Sequence, residues 1–124
     1  MENKPSILII DDSKETVKGL EAFFSEKYEV STACNGLDGI KEFDNSDDCV
    51  DLVITDLVMP EISGIGVITV IKKKSPKLPV IAMTGWGEHP GAMARDAKVD
   101  MVLNKPFELE DLERHVAELL VKKS

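Results

Sequence analysis

The segment Ser6-Ile7-Leu8-Ile9-Ile10-Asp11-Asp12 decides the fold, because it joins a solid aliphatic run to a pair of acids. An apolar run of this length without polar alternation is typical of a strand buried on both faces of a parallel sheet. Leu52-Val53-Ile54 repeats the pattern and is followed by Thr55 and Asp56. Both segments therefore predict inner strands that carry acids at their carboxyl ends.

Strands and helices alternate along the rest of the chain. Besides the two inner strands, we expect strands near residues 28–33, 78–83 and 101–103. We expect a helix capped by Ser13 that includes Val17 to Phe24, and further helices near 37–43, 62–74, after Pro90 and near 109–120. Alternation of this kind predicts a parallel sheet with helices on both faces. Right-handed crossovers make it a doubly wound, three-layer (βα)5 sandwich of the α/β class. We expect one domain over residues 1–124.

Composition and charge exclude several classes of protein. The 124 residues carry a net charge of −8, which argues against direct binding of nucleic acid, since such binding depends on Lys and Arg at phosphates. No apolar run approaches the ~20 residues of a membrane span. The acid-containing start Met1-Glu2-Asn3-Lys4-Pro5 does not resemble a signal peptide, so we expect a cytoplasmic location and no membrane insertion. The only cysteines, Cys34 and Cys49, are expected to be small buried side chains.

Polar side chains follow four of the predicted strands at the point where each strand ends. These are Asp11 and Asp12, then Asp56, Thr84 and Lys105. Because the carboxyl ends of parallel strands share one edge of the sheet, we expect the five side chains to converge on one pocket. Taken singly, each has a simpler interpretation as a turn residue, a cap or a surface charge. Their common position is what points to a functional site.

The chemistry of this cluster favours a divalent cation and a phosphoryl group. Two carboxylates at ~4 Å repel by roughly 4 kcal/mol at an effective dielectric constant near 20, and Mg²⁺ would relieve that repulsion. Lys105 and Thr84 could each contact a phosphoryl oxygen. An aspartate can act as the nucleophile in phosphoryl transfer, and Asp56 is the natural choice because it ends the central strand.

Four motifs occur in an order and spacing that resemble a known family. They are Ile9-Ile10-Asp11-Asp12-Ser13, Thr55-Asp56-Leu57-Val58-Met59-Pro60-Glu61-Ile62-Ser63-Gly64, Met83-Thr84-Gly85 and Asn104-Lys105-Pro106-Phe107. Together they resemble the receiver domains of bacterial two-component response regulators, which include the single-domain chemotaxis regulator. The resemblance implies the flavodoxin-like strand order 2-1-3-4-5.

The resemblance also implies roles for the site residues. Asp56 would be the phosphoacceptor of a phosphorelay and a Mg²⁺ ligand. Asp12 would bind the ion directly, Asp11 would bind it through water, and the backbone carbonyl of Val58 would complete the protein's share. Thr84 would turn toward the phosphoryl group. Further implied features are pairing of Lys105 with the phosphoryl group, a cis Lys105–Pro106 bond and a sharp turn at Gly64.

Family membership would further imply partners and an output. The phosphoryl donor would be a sensor histidine kinase or a phosphotransfer protein. Phosphorylation would shift the conformation and change binding of an unknown protein at the face formed by the fourth helix, fifth strand and fifth helix. The chain would not be a turnover enzyme and would catalyse only its own phosphotransfer and autodephosphorylation. The alternative is a receiver-like interaction module that works without phosphorylation.

Three departures from the family pattern affect these expectations. Val102 stands where receivers usually carry Tyr or Phe, which predicts weaker coupling of the output face to phosphorylation. Val58 and Trp86 lie at positions that influence how water reaches the phosphoryl group, and we expect this apolar pair to slow autodephosphorylation. Trp86 has an equally good interpretation as a docking or packing residue. The usual Gly-Ala-Asp before the last strand reads Lys98-Val99-Asp100, which predicts a change in loop geometry only.

Two related folds can be set aside from the same residues. A flavodoxin would bind a flavin phosphate after the first strand, where Asp11 and Asp12 would repel it. A phosphatase of the haloacid dehalogenase type needs a second acid two residues after its nucleophile, and Val58 occupies that position.

Overall fold

A computed structural model describes residues 4–46, 49–85 and 98–123. The strands are β1 (Ser6–Ile10), β2 (Glu29–Ala33), β3 (Leu52–Asp56), β4 (Val80–Thr84) and β5 (Met101–Asn104). The helices in these ranges are α1 (Lys14–Phe24), α2 (Gly36–Asn45), α3 (Gly64–Lys74) and the C-terminal helix (Leu109–Lys123). All pairings are parallel and the order is β2-β1-β3-β4-β5, which confirms the predicted sheet. The helix predicted after Pro90 lies outside the described residues.

The aliphatic run of β1 is buried on both faces because the sheet separates two hydrophobic cores. Leu8 and Ile10 pack into the core beneath α2 and α3. Ile7 and Ile9 pack into the core beneath α1 and the C-terminal helix. All four residues have no exposed surface, so every position of the strand needs an apolar side chain. The run without polar alternation is thus explained by the three-layer architecture.

The central strand β3 is buried along its whole length and ends on the candidate phosphoacceptor. Its register sets Ile54 beside Ile9 of β1 and Asp56 beside Met83 of β4. The chain continues the ladder beyond the strand, because the Leu57 N–H donates to the Met83 carbonyl over 2.9 Å. The sheet therefore holds the residue before Asp56 through its pairing with β1, and the residue after Asp56 through its hydrogen bond to β4.

Polar side chains fix the starts of three helices. Ser13 Oγ accepts a hydrogen bond from the Thr16 N–H at the start of α1. Asn35 plays the same part for α2, and Ser63 for α3. Each cap satisfies a backbone N–H that has no partner within the helix, which is worth about 1 kcal/mol. The caps place the helix starts at the edge of the sheet where the strands end.

Asp100 joins three elements at the opposite end of the sheet. Its Oδ2 accepts from the Val80 N–H over 2.7 Å and from Lys72 Nζ over 2.9 Å. Lys72 Nζ also donates to the Leu78 carbonyl over 2.7 Å, and its side chain is only 10% exposed. In the Lys98-Val99-Asp100 triplet, the acid therefore ties α3 to the starts of β4 and β5.

Two details of the loops differ from expectation or refine it. Cys34 is half-buried and Cys49 is exposed, so the prediction that both cysteines are buried was wrong. Lys98 has a φ of 65°, in the left-handed region that disfavours a residue with a Cβ. Lys98 thus has a backbone conformation that a glycine would adopt more readily.

We predict that Lys98→Gly raises the free energy of unfolding by about 1 kcal/mol, because glycine removes the clash of Cβ with the backbone at positive φ. Urea unfolding followed by circular dichroism measures the change. Lys98→Ala is the control, since it removes the same side chain but keeps the Cβ, and should give no gain. A glycine variant no more stable than the alanine variant would contradict the prediction.

Candidate functional site

The structure brings the predicted site residues to one edge of the sheet. Asp11 and Asp12 directly follow β1, Asp56 is the last residue of β3, Thr84 is the last residue of β4, and Lys105 directly follows β5. Carboxylate oxygens of the three aspartates lie within 4.8 Å of one another. The Lys105 N–H donates to the Thr84 carbonyl over 2.7 Å, which extends the β4–β5 ladder to the site. The carboxyl ends of four parallel strands thus form a single acidic pocket.

The two adjacent acids after β1 have different environments. Asp11 has no exposed surface, whereas Asp12 is exposed. Asp11 Oδ1 accepts from the Ser13 N–H over 2.9 Å, and its Oδ2 accepts from Lys105 Nζ over 2.9 Å. Both oxygens of Asp11 are therefore engaged within the protein, while the Asp12 carboxylate faces solvent and is available to a cation.

Asp56 is held between a backbone amide and a lysine. Its side chain oxygen Oδ1 accepts from the Val58 N–H over 3.2 Å, and Oδ2 lies 3.4 Å from Lys105 Nζ. The residue is 6% exposed and its side chain 9%, so Asp56 is nearly but not fully buried. Val58, in the loop that follows β3, is 55% exposed to solvent.

Burial and charge set the protonation equilibria of the site. Desolvation raises the pKa of Asp56 and the nearby Asp11 carboxylate adds to the rise, while Lys105 and the Val58 N–H oppose it. For Lys105, burial lowers the pKa, but the hydrogen bond and charge of Asp11, with those of Asp56, outweigh it and the pKa is raised. The lysine therefore stays protonated, and the charge of the ionised Asp56 is only partly compensated by Lys105 and the Val58 N–H.

Thr84 contributes a hydroxyl that is buried and unsatisfied. The residue is 1% exposed, and its Oγ1 has no hydrogen-bond partner among the residues that the structure describes. A buried hydroxyl without a partner costs about 1–3 kcal/mol. The group is thus available to an acceptor that enters the site.

Gly64 keeps the loop after Asp56 closed. A Cβ at this position would lie 2.0 Å from the Asp56 carbonyl oxygen and 2.6 Å from Leu57 Cα. The Gly64 N–H donates to the Leu57 carbonyl over 2.9 Å, so the loop returns to lie against the backbone of Asp56 and Leu57. The glycine is required by this close approach, in keeping with the predicted sharp turn. The predicted cis Lys105–Pro106 bond is confirmed.

Sequence reasoning missed two supports of the acidic pocket. Ser13 was identified only as a helix cap, but its N–H also holds Asp11. The direct bond between Asp11 and Lys105, 94 positions apart, was not foreseen because Lys105 was paired with an incoming phosphoryl group. The short spacing of Asp11 and Ser13 could have suggested the bond between them.

Two of the residues that depart from the family pattern lie away from this cluster or beyond description. Val102 is 37% exposed on β5, and Trp86 lies outside the described residues.

Comparison with known proteins identifies the family. The family model of the response regulator receiver domain matches residues 7–117, which include all five site residues. The chain belongs to the response regulator receiver domain family. It is therefore a receiver domain of two-component response regulators, as its motifs predicted. No helix in the described part of this receiver is both long and apolar enough to cross a membrane.

Relatives of the receiver domain occur in longer regulatory proteins. The transcriptional regulatory protein GlrR of Escherichia coli is 36% identical over 97% of this chain and 27% of its own length. The transcription factor SKN7 of Chaetomium thermophilum is 31% identical over 96% of this chain and 16% of its own. The chain thus spans less than a third of the length of these relatives.

A solved receiver domain has the same fold. The crystal structure of a response regulator receiver domain protein from Clostridium thermocellum superimposes with a TM-score of 0.90 at 30% identity, over 96% of each chain. The similarity covers the sheet and the helices on both of its faces. The strand order seen here is therefore that of the family.

We predict that Asp56→Asn stabilises the protein at pH 7 by roughly 1–3 kcal/mol, because it removes a buried charge that its surroundings compensate poorly. Since the pKa of Asp56 is raised on folding, the neutral acid favours the folded state. That contribution is complete below the ordinary range near pH 4 and is lost as the pH rises through the raised pKa. The gain from Asn should therefore shrink in acid, as measured by urea unfolding from pH 4 to 8.

The control for this measurement is Glu61→Gln, which removes one negative charge at an exposed position of the neighbouring loop. It should change the free energy of unfolding by no more than about 0.5 kcal/mol. Equal gains from the two variants, or a gain from Asp56→Asn that does not depend on pH, would contradict the assignment of the strain to Asp56.

Proposed function

We propose that this receiver domain is a phosphoacceptor switch in which Asp56 takes a phosphoryl group from a histidine kinase or phosphotransfer protein. The observation that carries the proposal is the environment of Asp56. The carboxylate is 6% exposed, lies within 4.8 Å of two other acids and faces one lysine. Among the described residues, three carboxylates in this pocket face one lysine, so the pocket is short of positive charge.

The residues present fit Mg²⁺. Three carboxylates lie within coordination reach of one ion, and Asp12 faces solvent where an ion with bound waters can enter. We assign direct ligation to Asp12 and Asp56, ligation through water to Asp11 and a further ligand to the Val58 carbonyl. When bound, the ion would neutralise the carboxylates and the phosphoryl oxygens, which is most of what a loose transition state needs.

The chain's own groups carry out the transfer. Oδ of Asp56 forms the new bond to phosphorus while the bond from phosphorus to the donor's imidazole nitrogen breaks, and the imidazole leaves with the electron pair of that bond. Lys105 Nζ is already 3.4 Å from Asp56 Oδ2 and would stabilise a phosphoryl oxygen. The product is an aspartyl phosphate, which water later hydrolyses.

The buried hydroxyl of Thr84 supports a conformational response. An added phosphoryl group offers this unpartnered donor an acceptor, so the loop after β4 would move toward Asp56. We infer that the change reaches a partner protein at the face made by β5, the C-terminal helix and the segment before β5. Val102, 37% exposed on this face, lacks the reach of an aromatic side chain, which favours a small response.

The proposal limits the activity and the setting of the protein. The chain would carry out only its own phosphotransfer and autodephosphorylation, with no turnover of other substrates, direct binding of nucleic acid or membrane insertion. A cytoplasmic location would expose it to kinase modules. The alternative, an interaction module that works without phosphorylation, takes its support from Val102 alone.

We predict that incubation with acetyl phosphate and Mg²⁺ gives a single phosphate adduct, because acetate can leave from phosphorus as an imidazole does. Intact mass after rapid quenching measures it. Asp56→Asn should give no adduct, and chelation of Mg²⁺ should abolish it. Asp12→Asn should slow its formation at low Mg²⁺. A folded native chain that gives no adduct would favour the interaction module.

We also predict that Val58→Asn shortens the lifetime of the aspartyl phosphate, because a polar side chain at the open side of the pocket can position water. The decay of the adduct in intact mass measures the lifetime. Leu37→Asn is the matched control, since it makes the same kind of change at an exposed apolar residue of α2. A decay that stays unchanged in Val58→Asn, and in Val58→Asn with Trp86→Gln, would contradict the prediction.

A further inference from the structure

A half-open groove of about 650 Å³ lies between α1 and the C-terminal helix. We call it the α1 groove; its lining includes Gly19, Phe23, Glu26, Tyr28, Glu110 and Glu113. None of the five residues assigned to the acidic pocket lines it. The groove is therefore a feature of the fold that phosphoryl transfer at Asp56 does not use.

The base of the α1 groove is aromatic and fixed. Phe23 and Phe24 make an edge-to-face contact with centroids 5.1 Å apart, and Phe24 lies 5.8 Å from Tyr28. The Tyr28 hydroxyl donates to Glu113 Oε2 over 3.0 Å. Burial first, and then Glu113, raise the pKa of Tyr28 to about 12, so this donor persists at neutral pH. The bond holds the Glu113 carboxylate beside the rings.

The rim of the α1 groove carries an excess of negative charge. Glu26, Glu110 and Glu113 supply three carboxylates, whereas Lys27 supplies one ammonium group. Lys27 Nζ is 3.9 Å from Glu113 Oε1 and its side chain is 70% exposed, so it neutralises the groove weakly. A cation that brings an apolar stem would gain both from the carboxylates and from the faces of the rings.

Gly19 adds a separate observation. It lies inside α1, where glycine costs about 1 kcal/mol relative to alanine. A Cβ built at this position meets no atom within 4 Å, so packing within the chain does not require the glycine. Its effect is to leave the wall of the groove flat on the solvent side. A flat wall at this cost indicates close approach by something outside the chain.

We propose that the α1 groove docks an arginine side chain of a partner protein. Its guanidinium group would lie between the carboxylates of Glu110 and Glu113, and its methylene stem would cross the rings beside Gly19. A groove open along one side suits a side chain carried on a protein better than a free small molecule, which is usually enclosed on most of its surface. This docking goes beyond the phosphoacceptor function and does not depend on Asp56.

The test is a titration of the full chain with N-acetyl-arginine amide, followed by backbone amide shifts in heteronuclear spectra. We expect saturable shifts confined to residues 19–28 and 110–113. N-acetyl-citrulline amide has nearly the same shape without the charge and should bind more weakly by about threefold or more. Asp56→Asn should leave the titration unchanged, which separates this proposal from the phosphoacceptor function.

Variants of Gly19 provide the steric control. Gly19→Leu should fold, since the space is open, but should fill the groove and abolish the shifts. Gly19→Ala should raise the melting temperature and weaken the binding less than Gly19→Leu does, because only a Cβ is added to the flat wall. Glu110→Gln should weaken binding by about threefold, whereas Glu118→Gln, outside the groove on the same helix, should not change it.

Several outcomes would overturn the proposal. Binding that persists in Gly19→Leu, equal shifts with citrulline, or shifts spread over the whole acidic surface would show that no arginine site exists here. Saturation by putrescine at lower concentration than by blocked arginine would assign the groove to a free diamine. Dimerisation of the chain through residues 19–28 in sedimentation would assign it to a second copy.

Discussion

The function of this molecule depends on a charge imbalance that the parallel sheet creates. Parallel strands end at one edge, and here the ends of β1 and β3 bring three carboxylates whose oxygens lie within 4.8 Å of one another. Lys105 is the cation bonded to two of them, Asp11 and Asp56. One ammonium group cannot balance three carboxylates, so the fold holds open a place for further positive charge and for the oxygens that such a charge attracts.

The sheet can tolerate these unbalanced charges because hydrophobic cores cover both of its faces. The cores enclose β1 and β3, and the hydrogen bonds of Asp100 tie α3, β4 and β5 together at the far end of the sheet. Two groups at the other end lack full compensation, namely the ionised Asp56 and the Thr84 hydroxyl, which has no partner among the described residues. A modification that adds charge and acceptor oxygens beside these two groups acts on both of them.

The sequence allowed the parallel sheet and the edge where the site residues meet to be predicted, because both depend on local patterns, whereas the strand order was implied by the resemblance to receiver domains. The solid run of β1 indicates burial on both faces, and the residue after a parallel strand has a fixed destination. Residue type could not predict that Asp11 is buried and Asp12 exposed, because both are aspartates and the turn into α1 determines which one is buried. The bond from Tyr28 to Glu113 joins residues 85 positions apart and depends on how the segment between α1 and β2 packs against the C-terminal helix. The exposure of Cys49 likewise follows from packing and not from its residue type.

The helix α1 lies between the acidic pocket and the groove, and its packing determines whether the two act together. Ser13 binds Asp11 at the start of α1, and Val17, Leu20 and Phe24 bury the helix against the sheet. Close packing of this kind resists continuous displacement, so communication would need a second stable arrangement of the helix. The free polar group that a phosphoryl oxygen could capture lies on β4, on the other side of Asp56 from α1. If Asp56 is the phosphoacceptor that we propose, phosphorylation would therefore act mainly toward β5, and the α1 groove would keep the same surface in both states of Asp56.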